Sequence, residues 1–419
     1  MEYGLIGKKL GHSFSKIIHN RLCDYDYELK ELEPEALDEF FAKKEFKAIN
    51  VTIPYKTDVI KYLDSISDVA KDIGAVNTIV NKNGRLIGYN TDFYGMRDLL
   101  QKNGISPKGK RCAVLGTGGT SKTAKAVLAS LGAKEIVTVS RTADSGVVDY
   151  QSFKQNYSDT QIIINTTPCG MYPNISTSAV DISGFDALEG VADAVYNPLN
   201  SFLVVNAKKR GINAVGGLYM LVAQAVYAAE YFCEKTFDNY VADEIYNELR
   251  AKKQNVVLCG MAGCGKTTLG KIIADELGLE FYDSDDEIVK AANKSIPEIF
   301  AEVGEKGFRE IESQVIFELS KKTGAVIATG GGAVLKEQNV LNLKQNGCVV
   351  FLDRDVNDII PTPDRPLTQN REQLEKLYNE RKPVYNSVCD IKVRIKGSKS
   401  QSAKAVIERY INEYNFKKM

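Results

Sequence analysis

Short apolar runs alternate with longer amphipathic segments along most of the chain. The runs at 111–115, 135–140 and 255–259 are rich in Val, Ile, Leu and Ala, which is typical of buried strands. The segments between them have helical character, with apolar positions three and four residues apart. This alternation predicts parallel α/β sheets that are covered by helices.

The order of these elements predicts three regions. The first spans residues 1–95, with segment 226–250 packing back on it, and its loops are rich in Ser, Thr, Asn and Lys. The second spans 96–225, and the third spans 253–419 after a short charged junction. A chain of 419 residues is too long for a single hydrophobic core, which also favours several domains.

Charge and cysteine content exclude several classes of partner. Lys plus Arg and Asp plus Glu each total 54, so the net charge is zero, which argues against nucleic-acid or membrane-surface binding. Residues 218–232 are too short and too polar to span a bilayer, and residues 1–7 lack signal-peptide features. Eight cysteines without a C-x-x-C pair, and only two histidines, favour reduced thiols in a cytoplasmic enzyme over a zinc site.

Residues 260–267 read Gly-Met-Ala-Gly-Cys-Gly-Lys-Thr and fit the full phosphate-binding pattern G-x-x-x-x-G-K-[ST]. They follow a predicted strand and open a predicted helix, so backbone N–H groups would face phosphate oxygens. Lys266 would reach the outer phosphates and the Thr267 hydroxyl would bind Mg²⁺. The predicted ATP contacts in this loop are Gly263, Cys264, Gly265, Lys266, Thr267 and Thr268.

The next predicted strand carries two acidic residues through its end, Asp283 and Asp285. Alternation predicts that both carboxylates lie on one face at the carboxyl end of the strand. A solvated acidic turn is the alternative interpretation. Beside a phosphate-binding loop, one carboxylate for Mg²⁺ and one for an acceptor hydroxyl is favoured, which predicts an ATP-dependent small-molecule kinase.

Segment 307–312 is predicted to start a helix and segment 329–332 to end a strand, and segments 364–367 and 380–385 come later. With the loop, this ordered set resembles the shikimate kinase family over nearly all of 255–419. The resemblance implies that Asp283 supports Mg²⁺ with Thr267, and that Asp285 contacts the hydroxyl that is phosphorylated. The other residues it implies are Arg309, Gly331 and Arg381 at the substrate, and Lys266 and Arg365 at the phosphates. Segment 356–363 departs from the family, because it contains no Arg or Lys for a lid over adenine.

Residues 116–121 form a second glycine turn, Gly-Thr-Gly-Gly-Thr-Ser, between a strand and a helix. It is typical of dinucleotide binding except that Ser121 occupies the place of the third Gly or Ala. The following strand ends at Ser140-Arg141-Thr142 without the acid that binds a ribose. Arg141 instead favours a 2′-phosphate and therefore NADP, although a solvated turn residue is the alternative.

Polar clusters at 12–15, 50–56, 74–78 and 90–92 would singly be turns, caps or surface residues. Together they resemble shikimate dehydrogenase over essentially all of 1–250. The resemblance implies a catalytic pair, Lys56 and Asp92. It implies substrate contacts from Ser13, Ser15, Thr52, Asn77, Asp92, Tyr196 and Gln224. The implied NADP contacts are Gly116, Thr117, Gly118, Gly119, Thr120, Ser140, Arg141, Thr142, Ala194 and Gly217.

The predicted fold class is α/β: a substrate-binding α/β domain, a Rossmann-type dinucleotide domain and a P-loop kinase domain with a parallel sheet. The resemblances imply NADPH-dependent reduction of 3-dehydroshikimate to shikimate, and then phosphorylation of shikimate by ATP with Mg²⁺. We expect a monomer or homodimer without nucleic-acid or membrane partners. The rival hypotheses are a quinate/shikimate dehydrogenase that uses NAD, and a fusion in which one module has lost catalysis.

Overall fold

Three separate β-sheets organise the computed structural model, which describes residues 1–11, 14–360 and 370–414. Two compact units divide the chain. The first consists of Met1–Met171, Thr177–Asn197 and Asn206–Tyr246. The second consists of Tyr172–Ser176, Pro198–Val205 and Asn247–Met419. Each unit is described by itself below.

The first sheet of the first unit has the strand order β2-β1-β3-β5-β6-β4. Strands β1, β2 and β3 pair in parallel, and β5 and β6 form an antiparallel hairpin. The hairpin turn contains Asn83 and Gly84 at φ 52° and 86°, which are residue types that accept a left-handed backbone. The strands are β1 (Tyr3–Gly7), β2 (Tyr27–Glu31), β3 (Ala48–Val51), β4 (Ser65–Ile66), β5 (Thr78–Lys82) and β6 (Arg85–Tyr89), and the helices are α1 (Ser15–Leu22), α2 (Leu37–Lys43), α3 (Asp68–Ile73) and α4 (Asp92–Lys102).

The second sheet is fully parallel, with the order β12-β11-β10-β7-β8-β9. Its strands are β7 (Arg111–Leu115), β8 (Glu135–Ser140), β9 (Val147–Asp149), β10 (Ile162–Asn165), β11 (Gly190–Asp193) and β12 (Asn213–Val215). The helices that follow are α5 (Gly119–Ser130), α6 (Tyr150–Asn156), α7 (Phe202–Lys209), α8 (Leu218–Cys233) and α9 (Val241–Lys253). The strand order reverses beside β7, and ligands of such sheets bind at the carboxyl ends of the strands at that point.

The sheet of the second unit is also parallel, with the order β14-β15-β13-β16-β17. The strands are β13 (Asn255–Cys259), β14 (Glu280–Asp283), β15 (Ala325–Ala328), β16 (Gly347–Asp353) and β17 (Ile391–Arg394). The helices are α10 (Lys266–Leu277), α11 (Ser284–Ala292), α12 (Ile296–Ser320), α13 (Glu337–Asn346), α14 (Arg371–Val388) and α15 (Lys399–Tyr414). These sheets confirm the predicted α/β class.

Two local expectations in the second unit were wrong. Strand β14 ends at Asp283, so Asp285 lies in the first turn of α11 and not on the same strand. Helix α12 begins at Ile296, well before residue 307, because Ser295 and Glu298 form a reciprocal capping box. The helix is broken at Gly304, where φ is 65°, and segment 307–312 follows that break.

Among the residues that the structure describes, no helix is both long enough and apolar enough to cross a bilayer. The most apolar helix, α8, instead packs against α4 and α1 of the first unit.

We expect Gly95→Ala in α4 to destabilise the first unit. A Cβ at Gly95 would lie 2.7 Å from the Met220 carbonyl oxygen and 3.0 Å from the Gln224 nitrogen, both in α8. Alanine favours an isolated helix by about 1 kcal/mol, but overpacking against backbone costs about 1–3 kcal/mol. Urea unfolding followed by circular dichroism should therefore show a net loss, whereas the exposed substitution Gln101→Ala should change stability by less than about 0.5 kcal/mol.

Candidate active sites

The glycine turn after β7 leaves the N-terminus of α5 open. Gly116 has φ 111°, and a Cβ there would lie 2.9 Å from Thr166 Oγ1, so only glycine fits. No described atom lies within 4 Å of a Cβ at Gly118, and no described side chain caps the first turn of α5. The free N–H groups of this turn can therefore bind a phosphate group.

Ser121, the departure from the usual glycine pattern, has an internal role in the same turn. Its hydroxyl donates a hydrogen bond of 2.6 Å to the Gly116 carbonyl oxygen, and the residue is only 1% exposed. The serine thus fixes the turn from inside, and the open side of the turn is unaffected.

Lys56 and Asp92 form an ion pair next to this turn. Lys56 Nζ donates to Asp92 Oδ2 at 2.6 Å, and the two side chains are 13% and 8% exposed. Asp92 is the first residue of α4, where the partial positive charge of the helix N-terminus favours a carboxylate. A Cβ at Gly119 would lie 3.6 Å from Lys56 Cβ and Cδ, so the pair and the glycine turn are in contact.

A buried hydrogen-bond network connects further predicted residues to Asp92. Asn77 Oδ1 accepts from the Thr91 backbone N–H at 2.7 Å, directly before Asp92 in the chain. Asn77 Nδ2 donates to Gln224 Oε1 at 3.3 Å and to Thr91 Oγ1 at 3.0 Å. Thr91 is fully buried and is a residue that sequence analysis did not select; its only signal was its position beside Asp92.

Three other predicted substrate residues also belong to the first unit: Ser15, Thr52 and Tyr196. Ser15 begins α1, and the preceding Phe14 ring lies 5.7 Å from the Tyr196 ring. Burial raises the pKa of Tyr196. Thr52 follows β3 and donates its backbone N–H to the Ile6 carbonyl oxygen at 2.9 Å. Ser13 lies outside the described residues.

The loops after β10 and β11 lie against each other at the carboxyl edge of the second sheet. Asn165 Nδ2 donates to Asp193 Oδ1 at 2.9 Å. Gly217 donates its N–H to the Val195 carbonyl oxygen at 2.8 Å, and any Cβ on Gly217 would collide with the Ala194 carbonyl oxygen. Arg141, which follows β8, is exposed to solvent.

The phosphate-binding loop of the second unit is a glycine turn between β13 and α10. Gly260, Gly263 and Gly265 have φ values of 142°, 81° and 105°, which only glycine adopts readily. Lys266 Nζ donates to the Gly260 and Met261 carbonyl oxygens, each at 2.9 Å. The Lys266 ammonium group therefore lies against the backbone of the phosphate-binding loop.

Thr267 and Asp283, the two predicted Mg²⁺ ligands, are hydrogen-bonded to each other. Thr267 Oγ1 donates to Asp283 Oδ2 at 2.6 Å, and Asp283 Oδ1 accepts from the Asp285 backbone N–H at 3.0 Å. Within the described part of the chain, no group of three or more His, Cys, Asp or Glu side chains could hold a metal ion. The oxygen donors present fit Mg²⁺, which needs few protein ligands when phosphates and water complete its shell.

Asp285 is held in an environment that disfavours its charge. Burial, and to a smaller extent the neighbouring Asp283 carboxylate, raise the pKa of Asp285 to about 6. A carboxylate with such a pKa can accept a proton from a hydroxyl at neutral pH better than an ordinary aspartate.

Three consecutive glycines bring the predicted substrate residues together. A Cβ at Gly330 would lie 2.8 Å from Asp285 Oδ1 and one at Gly331 would lie 3.6 Å from Arg381 Nη1. A Cβ at Gly332 would collide with the Arg309 guanidinium. Asp285, Arg309 and Arg381 therefore surround this segment, although they come from three different helices. Arg365 lies outside the described residues.

Sequence analysis missed two side chains here. Glu312 is 1% exposed; its Oε2 accepts from Arg309 Nη1 at 2.8 Å, and its buried Oε1 has no hydrogen-bond partner in the described chain. Burial raises the pKa of Glu312. Tyr385 donates to the Gly331 carbonyl oxygen at 2.6 Å. The signal for Glu312 was its i,i+3 spacing from Arg309, which places both on one helix face.

Together these features define two classes of site in one chain: a nicotinamide-dinucleotide reductase site in the first unit and a P-loop kinase site in the second. Comparison with known proteins agrees with both. Residues 5–79 match the family model "Shikimate dehydrogenase substrate binding domain", and residues 262–413 match the model "Shikimate kinase".

Among curated relatives, the NADP(+) shikimate dehydrogenase of Clostridium perfringens is 38% identical over 273 residues, which is 60% of this chain and 98% of that protein. The crystal structure of shikimate dehydrogenase 1 from Peptoclostridium difficile has 36% identity and a TM-score of 0.55, and covers 59% of this chain and 98% of that chain. The Thermus thermophilus shikimate 5-dehydrogenase, solved with NADP(H) and shikimate, has 26% identity and a TM-score of 0.53, with coverage of 59% and 99%. The chain belongs to the shikimate dehydrogenase family and carries a shikimate kinase domain at its C-terminal end.

The raised pKa of Asp285 predicts opposite effects of Asp285→Asn on stability and on kinase activity. Above pH 6 the Asp285 carboxylate is charged in the folded state, where burial makes that charge unfavourable. Below about pH 3.9, the ordinary pKa of aspartate, Asp285 is protonated in both the folded and the unfolded state. The variant should therefore be about 1–3 kcal/mol more stable at pH 7, with the difference vanishing near pH 4. Its kinase kcat should fall at least about 10²-fold.

Urea unfolding at several pH values and kinase assays measure the two effects. Asp286→Asn, at the exposed neighbouring residue, is the control, because it should change neither stability nor kinase activity appreciably. A stability gain that is independent of pH would contradict this account of Asp285.

Proposed function

We propose that the chain catalyses two consecutive reactions of the shikimate pathway. The first module reduces 3-dehydroshikimate to shikimate with NADPH, and the second phosphorylates shikimate to shikimate 3-phosphate with ATP and Mg²⁺. The observation that carries the reductase is the Lys56–Asp92 pair at 2.6 Å in contact with the glycine turn. The observation that carries the kinase is the clustering of Asp285, Arg309 and Arg381 around residues 330–332.

In the reductase, Lys56 and Asp92 would manage the proton on the substrate oxygen. When bound, the nicotinamide would supply the hydride to the carbonyl carbon of the substrate, and the carbonyl oxygen then needs a proton. Lys56 would donate a proton to that oxygen, and Asp92 holds the ammonium in place and would exchange the proton onward. Asn77 and Gln224, which are joined by a hydrogen bond, would orient the substrate with Ser13, Ser15, Thr52 and Tyr196.

NADP fits the dinucleotide side of this site. The first turn of α5 offers uncapped N–H groups for the pyrophosphate, and the open space at Gly118 allows close approach. Arg141, exposed at the end of β8, supplies the positive charge that a 2′-phosphate requires. The absence of an acid among residues 140–142 leaves nothing there to repel that phosphate.

In the kinase, Asp285 would accept the proton of the attacking 3-hydroxyl group. The two guanidinium groups of Arg309 and Arg381 would hold the substrate carboxylate, and Glu312 fixes the orientation of Arg309. Lys266 and Thr267 would bind the phosphates and Mg²⁺ with the support of Asp283. The product of the first reaction carries the hydroxyl that the second reaction uses.

The proposal includes domains at 1–95 with 226–250, 96–225 and 253–419, a monomer or homodimer, and a cytoplasmic location. Two assays on the full chain test its core. Shikimate with NADP⁺ should increase absorbance at the NADPH band, and shikimate with ATP should release ADP. Preference for NAD or quinate in the first assay would favour the rival dehydrogenase, and silence in one assay would indicate a module without catalysis.

We expect Lys56→Ala to lower reductase kcat by about 10²–10⁴, because proton transfer loses its positioned acid. Kinase kcat should stay unchanged in the same preparation, which controls for folding of the chain. Lys61→Ala removes an exposed lysine from the same region and should leave both activities near normal. Near-normal reductase turnover in Lys56→Ala would refute the assignment.

Arg309→Lys and Arg381→Lys should each raise the kinase KM for shikimate by about 10-fold or more. Lysine keeps the charge but loses the planar fork that pairs with both carboxylate oxygens, a contact worth about 1.5–3 kcal/mol. Arg371→Lys, at an exposed arginine in α14, is the matched control. An unchanged KM in both variants would exclude the proposed carboxylate clamp.

A further inference from the structure

Two free cysteines that are far apart in sequence face each other in the first unit. Cys23 caps the C-terminal end of α1, and Cys233 is the last residue of α8. Their Sγ atoms are 2.7 Å apart, although the residues are separated by 210 positions. A covalent disulfide has an S–S distance of about 2.05 Å, so only a small movement separates this pair from a bond.

The surroundings hold both thiols in these positions. The Cys23 N–H donates to the His19 carbonyl oxygen at 3.0 Å, which fixes the end of α1. Phe232, the neighbour of Cys233, is buried and lies 5.5 Å from the His19 ring. Since α1 and α8 pack directly against each other, bond formation needs little rearrangement of either helix.

A cavity of about 490 Å³ gives solvent access to the pair, which forms part of its lining. Both cysteines are only partly buried. The carboxylates of its lining are largely paired with cations: Glu2 with Lys47, Asp26 with Lys16, and Glu28 with the Met1 ammonium group. The lining is therefore nearly neutral and should admit both cationic and anionic reagents.

We propose that Cys23 and Cys233 are a modification site that forms a reversible intramolecular disulfide by exchange with small aliphatic disulfides. The Cys23 thiolate attacks the reagent, forms a mixed disulfide and expels one thiolate. Cys233 then attacks the Cys23 sulfur, loses its proton to solvent and expels the second thiolate. The protein dithiol is oxidised by two electrons, and the reagent is reduced to two thiols.

Cys233 is suited to the second step of this reaction, in which it attacks the mixed disulfide at Cys23. Burial, and then its hydrogen bond with Cys23, raise the pKa of the Cys233 thiol to about 12. A thiol that is rarely ionised reacts poorly with reagents in solution, but its closeness to Cys23 gives it a high effective concentration for the second step.

The disulfide would cross-link the C-terminal ends of α1 and α8, the helices that contain Ser15 and Gln224. A cross-link over 210 residues restricts the unfolded chain strongly, whereas the folded state already holds the sulfurs together. The disulfide should therefore raise the temperature of reductase inactivation by roughly 5–10 °C. Kinase inactivation should be less affected, because both cysteines belong to the first unit.

The test treats the full chain with cystamine or with oxidised glutathione and locates the products by peptide mass analysis. With either reagent, the proposal expects a Cys23–Cys233 cross-link with the loss of two hydrogen atoms, and its reversal by dithiothreitol. Cys23→Ser and Cys233→Ser should yield a single mixed disulfide or none at the remaining position. Cys389→Ser, at a partly buried thiol of the second unit, should leave the cross-link intact.

Separate reagent adducts on both cysteines, or no modification of either, would overturn the proposal. An unchanged temperature of reductase inactivation in the oxidised chain would overturn the predicted stabilisation. The mass readout is independent of reductase or kinase activity, so this test can fail while the proposed function stands.

Discussion

Both sites depend on the same physical constraint: a helix whose first N–H groups are left free at the carboxyl end of a buried parallel strand. Helices α5 and α10 each begin at a glycine turn, and no described side chain caps either of them. The uncapped N–H groups and the helix dipole then form an anion site. In the proposed function, this arrangement binds a dinucleotide at one sheet and a triphosphate at another, and the candidate reacting groups lie around it.

Glycine at points of close contact is the second condition on which the sites rely. Gly95 allows α4 to approach α8 near Gln224, and Gly217 allows the chain to pass the Ala194 carbonyl oxygen, which would lie 2.3 Å from a Cβ. In the second unit, residues 330–332 leave room for a carboxylate and two guanidinium groups. A methyl group at most of these positions would enter space that a functional side chain or a backbone oxygen occupies, so these glycines are required by packing and not by flexibility.

The charged groups of the sites are buried at a cost in stability. Lys56 and Asp92 compensate each other within 2.6 Å, whereas Asp285 has the neighbouring Asp283 carboxylate and a pKa raised to about 6. Glu312 has only one of its two oxygens paired among the described residues. Unpaired buried charge is unfavourable, so Asp285 and Glu312 lower the stability of the second unit. In the proposed function, the same two groups serve proton transfer and the orientation of Arg309.

The sequence by itself determined the α/β class and both glycine turns, and it predicted most residues of the candidate sites, because these depend on local spacing and on ordered motifs. It placed Asp285 on a strand, whereas Asp283 caps the N-terminus of α11 and so ends the strand before Asp285. It also predicted a helix start at residue 307, whereas the capping box at Ser295 starts α12 at Ile296. Only the tertiary structure decided that Thr91 and Glu312 are buried partners of the sites, and that Cys23 meets Cys233. Such contacts join segments that are distant along the chain or depend on which helix face is buried, and no local pattern of residues specifies either.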